Sequence, residues 1–216
     1  MSILYTVMKI TYSLKSLISE ISVFVKERNW NQYHHPKNLV MCLSVEVSEL
    51  MEHFIWVHSD ESHTVMDDKK RALEITHELA DVFNCIILVC NFYNLNTLEL
   101  MQQKRPEIFS KKSLSPKNLI EHISVETGKL MENFLWVEEV KLKKHKVNEE
   151  ITSKVTEVLQ GLILLSNQLN VNLIIACREK LKVLRLKYPA HLVKDSVDDY
   201  RKRKKELKTA MLKDLS

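Results

Sequence analysis

An all-α fold is expected from three features of the chain. Glycine occurs twice and proline four times in 216 residues, too few turn residues for a sheet protein with many hairpins. Leu39, Leu43, Val47, Leu50, Phe54 and Val57 recur three and four residues apart, the period of one helix face. The segment PKNLVMCLSVEVSELMEHFIWV, from Pro36 to Val57, returns as PKNLIEHISVETGKLMENFLWV from Pro116 to Val137, so the fold contains a repeated unit. After a shorter second loop the likeness continues, ELADVFNCIILVCNFYNLN from Glu78 matching KVTEVLQGLILLSNQLNVN from Lys154.

Taken in order, the chain opens with a lead helix over Leu14 to Arg28 that has no counterpart before the second block. Pro36 and Pro116 each start a block, where a missing amide donor costs little. A long helix follows over Lys69 to Asn94 and a short one from Thr97 to about Lys104, with the same set expected again from Asn148 and from Asn172. The stretch Val57 to Lys69, rich in His, Ser and Asp, reads as the loop between the first two block helices. The tail Leu181 to Leu192 is unrepeated, and RKRKKELK from Arg201 to Lys208 reads as a solvated helix end, with a nucleic-acid patch as the alternative.

The resulting organisation is residues 1–110 as lead helix and first block, 111–192 as second block, and 193–216 as a charged tail. Each block offers an amphipathic hairpin whose apolar stripe needs a partner. The other copy is the obvious one, giving a helical bundle of two tandem blocks packed as a pseudo-dimer.

A hydrophobic content of 45% is enough to bury a core, and 32 basic against 28 acidic residues, intermixed, give a net charge of +4. That field does not by itself imply nucleic acid. Cys42, Cys85, Cys90 and Cys177 stand singly in apolar stretches without zinc-ligand spacing, so all four are expected as buried small hydrophobes. No apolar run approaches the roughly 20 residues needed to cross a bilayer. The N-terminus, with Lys9 and Lys15, is a poor signal peptide. The expected location is cytoplasmic, with the nucleus also open.

Glu46 and Glu49 are three apart, and Glu78 and Asp81 are three apart on the next long helix. Residues at i and i+3 share a helix face. Two antiparallel helices presenting such pairs would gather four carboxylates, and crowded like charges call for a hard cation such as Mg2+. Solvent-exposed helix acids are the plainer alternative, but Glu46 and Asp81 interrupt the apolar runs LSVEV and LADVF, where a buried charge is costly.

The series WNQYHHPKNL, EVSELMEHFIW, ELADVFNCIIL and KYPAHL resembles the MazG-like all-α nucleoside triphosphate pyrophosphatases, specifically the eukaryotic dCTP pyrophosphatase branch. The motif series runs over nearly the whole chain. The resemblance implies that Glu46, Glu49, Glu78 and Asp81 bind magnesium at a triphosphate and are the catalytic set. The reaction implied is hydrolysis to a nucleoside monophosphate and pyrophosphate, as nucleotide-pool sanitation. It also implies that Trp30, His34, Asn38 and Trp56 line a base and sugar pocket, and that Lys104, Lys180, Arg185 and Tyr188 approach the phosphates. Trp30 and Trp56 as core aromatics, and His34 as a hydrogen-bonder at a helix start, remain open. Relatives in that family form sites between subunits, so a homo-oligomer is expected, with neither membrane nor nucleic acid as a partner.

The chain departs from the pattern in two places. In the second block the four acid positions read Glu126, Lys129, Lys154 and Glu157. Two ammonium groups among two carboxylates are expected to pair internally without a metal, the alternative being phosphate contact by the lysines. The asparagine of the family's tail is replaced by Leu184, which supports a second reading: a catalytically impaired helical scaffold binding nucleotide or protein without turnover.

Overall fold

The computed structural model describes residues 3–103, 114–142 and 144–213, and these contain α-helices and short 3-10 turns with no strand. The protein is an all-α helical bundle. The described chain divides into two compact units, Met1–Tyr33 with Arg178–Ser216, and His34–Cys177.

In the continuous unit, α2 (Pro36–Glu52) and α3 (Lys69–Tyr93) form one packed pair, and α5 (Pro116–Glu132) and α7 (Glu149–Gln168) form another. Helix α2 also packs on α5, and α3 on α7. The short α4 (Thr97–Gln102) lies against α7, and α6 (Glu139–Leu142) follows α5. Leu39, Val40, Leu43, Val47 and Leu50 of α2 are buried together with Leu79, Val82, Phe83 and Ile86 of α3, the stripe that the spacing of three and four requires.

Local chemistry sets the helix limits. Both α2 and α5 have proline in their first turn. His35 Nδ1 accepts from the Asn38 amide and Ser115 Oγ from the Asn118 amide, each satisfying one orphan donor of a helix start. Asn94 ends α3 in the left-handed conformation, with φ 54°, and Asn170 takes the same conformation two residues past the end of α7, with φ 55°. The next asparagine in each case starts a new helix, Asn96 Oδ1 accepting from Leu98 and Glu99 and Asn172 Oδ1 from Ile175. A short polar side chain tolerates the left-handed region and caps well, so Asn-x-Asn serves as a corner at both places.

Helix α5 approaches α7 closely at Gly161. A Cβ there would lie 2.9 Å from Ile123 Cγ1, a methylene of a fully buried side chain that would have to shift. Gln160, itself buried, turns its amide to the Leu100 and Gln103 carbonyls at 3.2 and 3.1 Å, tying α4 to α7.

The other unit is built from the two segments that flank the continuous one in sequence. Helix α1 (Ile3–Glu27) buries Leu14, Leu17, Ile21, Phe24 and Val25 along one face. It runs farther toward the N-terminus than the predicted Leu14 to Arg28, because no proline or glycine interrupts it. Helix α8 (Leu173–Lys187), where a short repeat of α4 is expected, instead runs unbroken to Lys187, and α9 (Ala190–Val193) and α10 (Val197–Lys213) follow. Arg178 on α8 reaches Ser13 and Glu20 on α1. Arg28, only 2% exposed, donates Nε to the Tyr188 carbonyl at 2.9 Å. Helix α10 carries the RKRKKELK run mostly exposed. Among the described residues no single helix is long and apolar enough to cross a membrane.

Candidate metal centre

Helices α2 and α3 are antiparallel, so positions that rise along one fall along the other. Cys42 of α2 meets Cys85 of α3, and one turn farther Glu46 of α2 comes under the charge of Asp81 of α3. At the next step, one carboxylate oxygen from each of Glu46, Glu49 and Glu78 lies within 4.8 Å of the others. The sequence-predicted quartet therefore has three members converging on one point, with Asp81 flanking Glu46. Glu49 is exposed, whereas Glu46, Glu78 and Asp81 are half-buried.

The electrostatics follow from that crowding. Burial pushes the Glu46 carboxyl up, and Asp81, Cys42, Glu49 and Glu78 push it further, to about 8. At neutral pH the centre holds a proton it would lose beside a cation. A set of carboxylate oxygens with one face open to water suits a hard divalent ion that retains some of its own water, so the donor chemistry fits magnesium.

The corresponding place on α5 and α7 is closed by side chains. Glu126, 3% exposed, accepts from Lys129 Nζ at 2.7 Å and from Lys154 Nζ at 2.8 Å. Lys154 also pairs with Glu157 at 3.3 Å. Burial alone would raise the Glu126 carboxyl, but hydrogen bonds from Lys129 and Lys154 outweigh it and hold it at about 2. This is the internal pairing expected from the two lysines in the sequence.

The remaining predicted residues fall in both units. His34 is half-buried, and loss of water lowers its imidazole to about 4. The hydrogen bond at the start of α2 is made by its neighbour His35 and not by His34. Asn38 is exposed on the first turn of α2. After α2, Phe54 turns into the core while Trp56 is 93% exposed, so Trp56 is not a core aromatic. Its turn is held by Lys117 Nζ, which donates to the Ile55 and Val57 carbonyls at 3.0 and 2.9 Å. Lys37 Nζ does the same for the Leu135 carbonyl at 3.1 Å, beside the equally exposed Trp136.

In the other unit, Trp30 makes edge contacts with Phe24, Tyr188 and Tyr200, at 5.7, 6.3 and 5.5 Å between ring centres. Its Nε1 donates to the Val193 carbonyl at 3.4 Å. Lys180 is buried and Arg185 exposed. Lys104 lies outside the described residues.

Two features were not anticipated. The reciprocal lysine clamps carry no sequence signal beyond the repeated Pro-Lys-Asn. Cys42, expected to be buried, is exposed, although its sulfur meets Cys85 of α3. The apolar flanks of Cys42 misled, because Met41 and Val45 beside it are exposed too.

No family model matches the chain, and no solved structure matches it. Among curated proteins, dCTP pyrophosphatase 1 of Rattus norvegicus is 39% identical over 59 residues, which cover 27% of this chain and 35% of that protein. The Homo sapiens protein of the same name is 37% identical over 59 residues, with the same coverage. The chain thus spans about a third of the length of the curated relatives it matches. The measured similarity is much shorter than the series of motifs, which ran over nearly the whole sequence.

Proposed function

We propose that the protein is a magnesium-dependent nucleoside triphosphate pyrophosphatase, converting a (d)NTP and water to the monophosphate and pyrophosphate. The observation that carries this reading is the convergence of Glu46, Glu49 and Glu78 within 4.8 Å, with Asp81 alongside. Partial similarity to proteins named dCTP pyrophosphatase supports it and suggests dCTP or a modified dCTP. Nucleotide-pool sanitation in the cytoplasm, or the nucleus, is the corresponding role.

In this reading Glu46, Glu49, Glu78 and Asp81 hold the cation. When bound, magnesium supplies charge neutralisation at the phosphates and a more acidic water. Glu46 gives up its proton on binding, which couples loading of the site to pH. Trp56, with its ring in water and its backbone clamped by Lys117, presents a flat face suited to stacking on a base. His34 stays neutral near pH 7 and so offers one acceptor and one donor nitrogen. Asn38, Trp30, Lys104, Lys180, Arg185 and Tyr188 are the further substrate candidates from the resemblance. The paired α2–α3 and α5–α7 hairpins fit a duplicated block fused as a pseudo-dimer, with one metal centre per chain, and further self-association fits the same scheme.

A scaffold without turnover is the second reading, favoured by the lysine-closed Glu126 cluster. The two separate in an assay of pyrophosphate release from dCTP, dTTP, dUTP and 5-methyl-dCTP with magnesium. Activity in the parent that is lost in Glu49→Gln supports the enzyme, whereas no turnover of any of the four by the parent removes it.

A further inference from the structure

Sγ of Cys85 donates a hydrogen bond to Sγ of Cys42 at 3.7 Å, across the packed interface of α2 and α3. We propose that Cys42 and Cys85 are a redox modification site, closing to a reversible disulfide on exposure to a peroxide. A disulfide bond is about 2.05 Å long, so the sulfurs need to approach by about 1.7 Å to bond. The two thiols differ in the way the chemistry requires. Cys42 is exposed and meets the oxidant, while Cys85 is buried behind it and aimed at its sulfur. The other two cysteines are placed differently. Cys177 donates its S–H to the Ala80 carbonyl at 3.4 Å, and Cys90 is fully buried.

The step balances with the peroxide as the sole oxidant. Cys42, after losing its proton to water, attacks one peroxide oxygen. An S–O bond forms, the O–O bond breaks, and the departing hydroxide is protonated to water. The Cys85 sulfur then attacks the Cys42 sulfenic sulfur. The S–S bond forms, the S–O bond breaks, and the leaving hydroxide takes the Cys85 proton to give a second water. Two thiols lose two electrons, and one peroxide becomes two waters.

The position gives the crosslink its interest. Cys42 stands four residues before Glu46 on α2, and Cys85 four after Asp81 on α3, so the bridge would tie together, one turn away, the two helices that carry the acids. Whether it forms does not depend on the metal reading. Pyrophosphatase activity and disulfide closure can therefore fail separately.

The test uses the full chain, treated with hydrogen peroxide, denatured, alkylated with N-ethylmaleimide and weighed intact. The expected product carries two adducts in place of four, with peptide mapping linking the Cys42 and Cys85 peptides and dithiothreitol restoring four. Cys42→Ser is expected to abolish the link, and Cys90→Ser to leave it. Four adducts after peroxide overturn the proposal. So does a link through Cys90 or Cys177, or oxidation of Cys42 to the sulfinic or sulfonic acid without a crosslink.

Discussion

Replacing Glu46 by glutamine should make the cation-free protein more stable in mild alkali, even though it removes a candidate ligand. In the folded chain, burial and then the charges of Asp81, Cys42, Glu49 and Glu78 raise this carboxyl from 4.5 to about 8. The unfolded chain releases the same proton near the ordinary value. Between those limits the unfolded form binds fewer protons, so the stability of the parent falls as pH rises and is greatest below 4.5. At about 1.4 kcal/mol per pH unit, the interval from 4.5 to about 8 corresponds to at most about 5 kcal/mol, and partial solvent access brings the expected loss to about 3 kcal/mol. Glu46→Gln has no proton to lose and should lack this slope, ending about 3 kcal/mol ahead of the parent at pH 8 in a chelator. Magnesium at ten times its dissociation constant should return about 1.4 kcal/mol to the parent and less to the variant. Urea unfolding followed by circular dichroism at pH 5 and pH 8, with chelator and then with magnesium, measures all of this. Equal pH slopes in the two proteins, or a variant weaker than the parent at pH 8, would refute the electrostatic account of the centre.

The Glu126 cluster should respond in the opposite sense. Its carboxyl is held at about 2, so its contribution is present above 4.5 and is lost as pH falls toward 2. Lys154→Met, which leaves the carboxylate with Lys129 alone, should cost about 3 kcal/mol in urea unfolding at pH 7. His34, lowered to about 4 by burial, favours folding above about 6.5 and gives that up as pH falls from there toward 4. Its imidazole resonances should still be those of the neutral ring at pH 5.5, and a shift centred near 6.5 would contradict its burial. Gly161→Ala drives a methyl to within 2.9 Å of Ile123 and should cost about 1–3 kcal/mol as overpacking, read as a fall in melting temperature. Leu50→Ala, at a site with no exposure, should cost about 2–5 kcal/mol by the same measurement.

Helix class and several boundaries could be read directly, because proline starts and apolar spacing are local signals. The acidic centre was partly legible. Spacing placed Glu46 with Glu49 and Glu78 with Asp81, but only the register of α2 against α3 determines that three acids converge and Asp81 stands beside them. The lysine replacements at 129 and 154 announced a self-paired cluster, since charge complementarity there needs no knowledge of packing beyond the repeat. What could not be read depends on where the chain turns. Trp56 follows a helix stripe that ends at the buried Phe54 and so points into water. Cys42 looked apolar from its neighbours, yet it is exposed beside Met41 and Val45 while its sulfur reaches Cys85 on α3.

One unit is assembled from two segments separated by residues 34–177, and this imposes an order on biosynthesis. A ribosome delivers residues 1–33 well before 178–216, so the helix bearing Leu14, Ile21 and Phe24, with Arg28 and Trp30 just after it, must wait while all of 34–177 is made before Arg178, Tyr188 and Tyr200 arrive to meet them. Its greasy side is the stretch that a holding chaperone would meet on the nascent chain. A premature stop anywhere between 178 and 200 would harm the segment before residue 34 as much as the one it truncates.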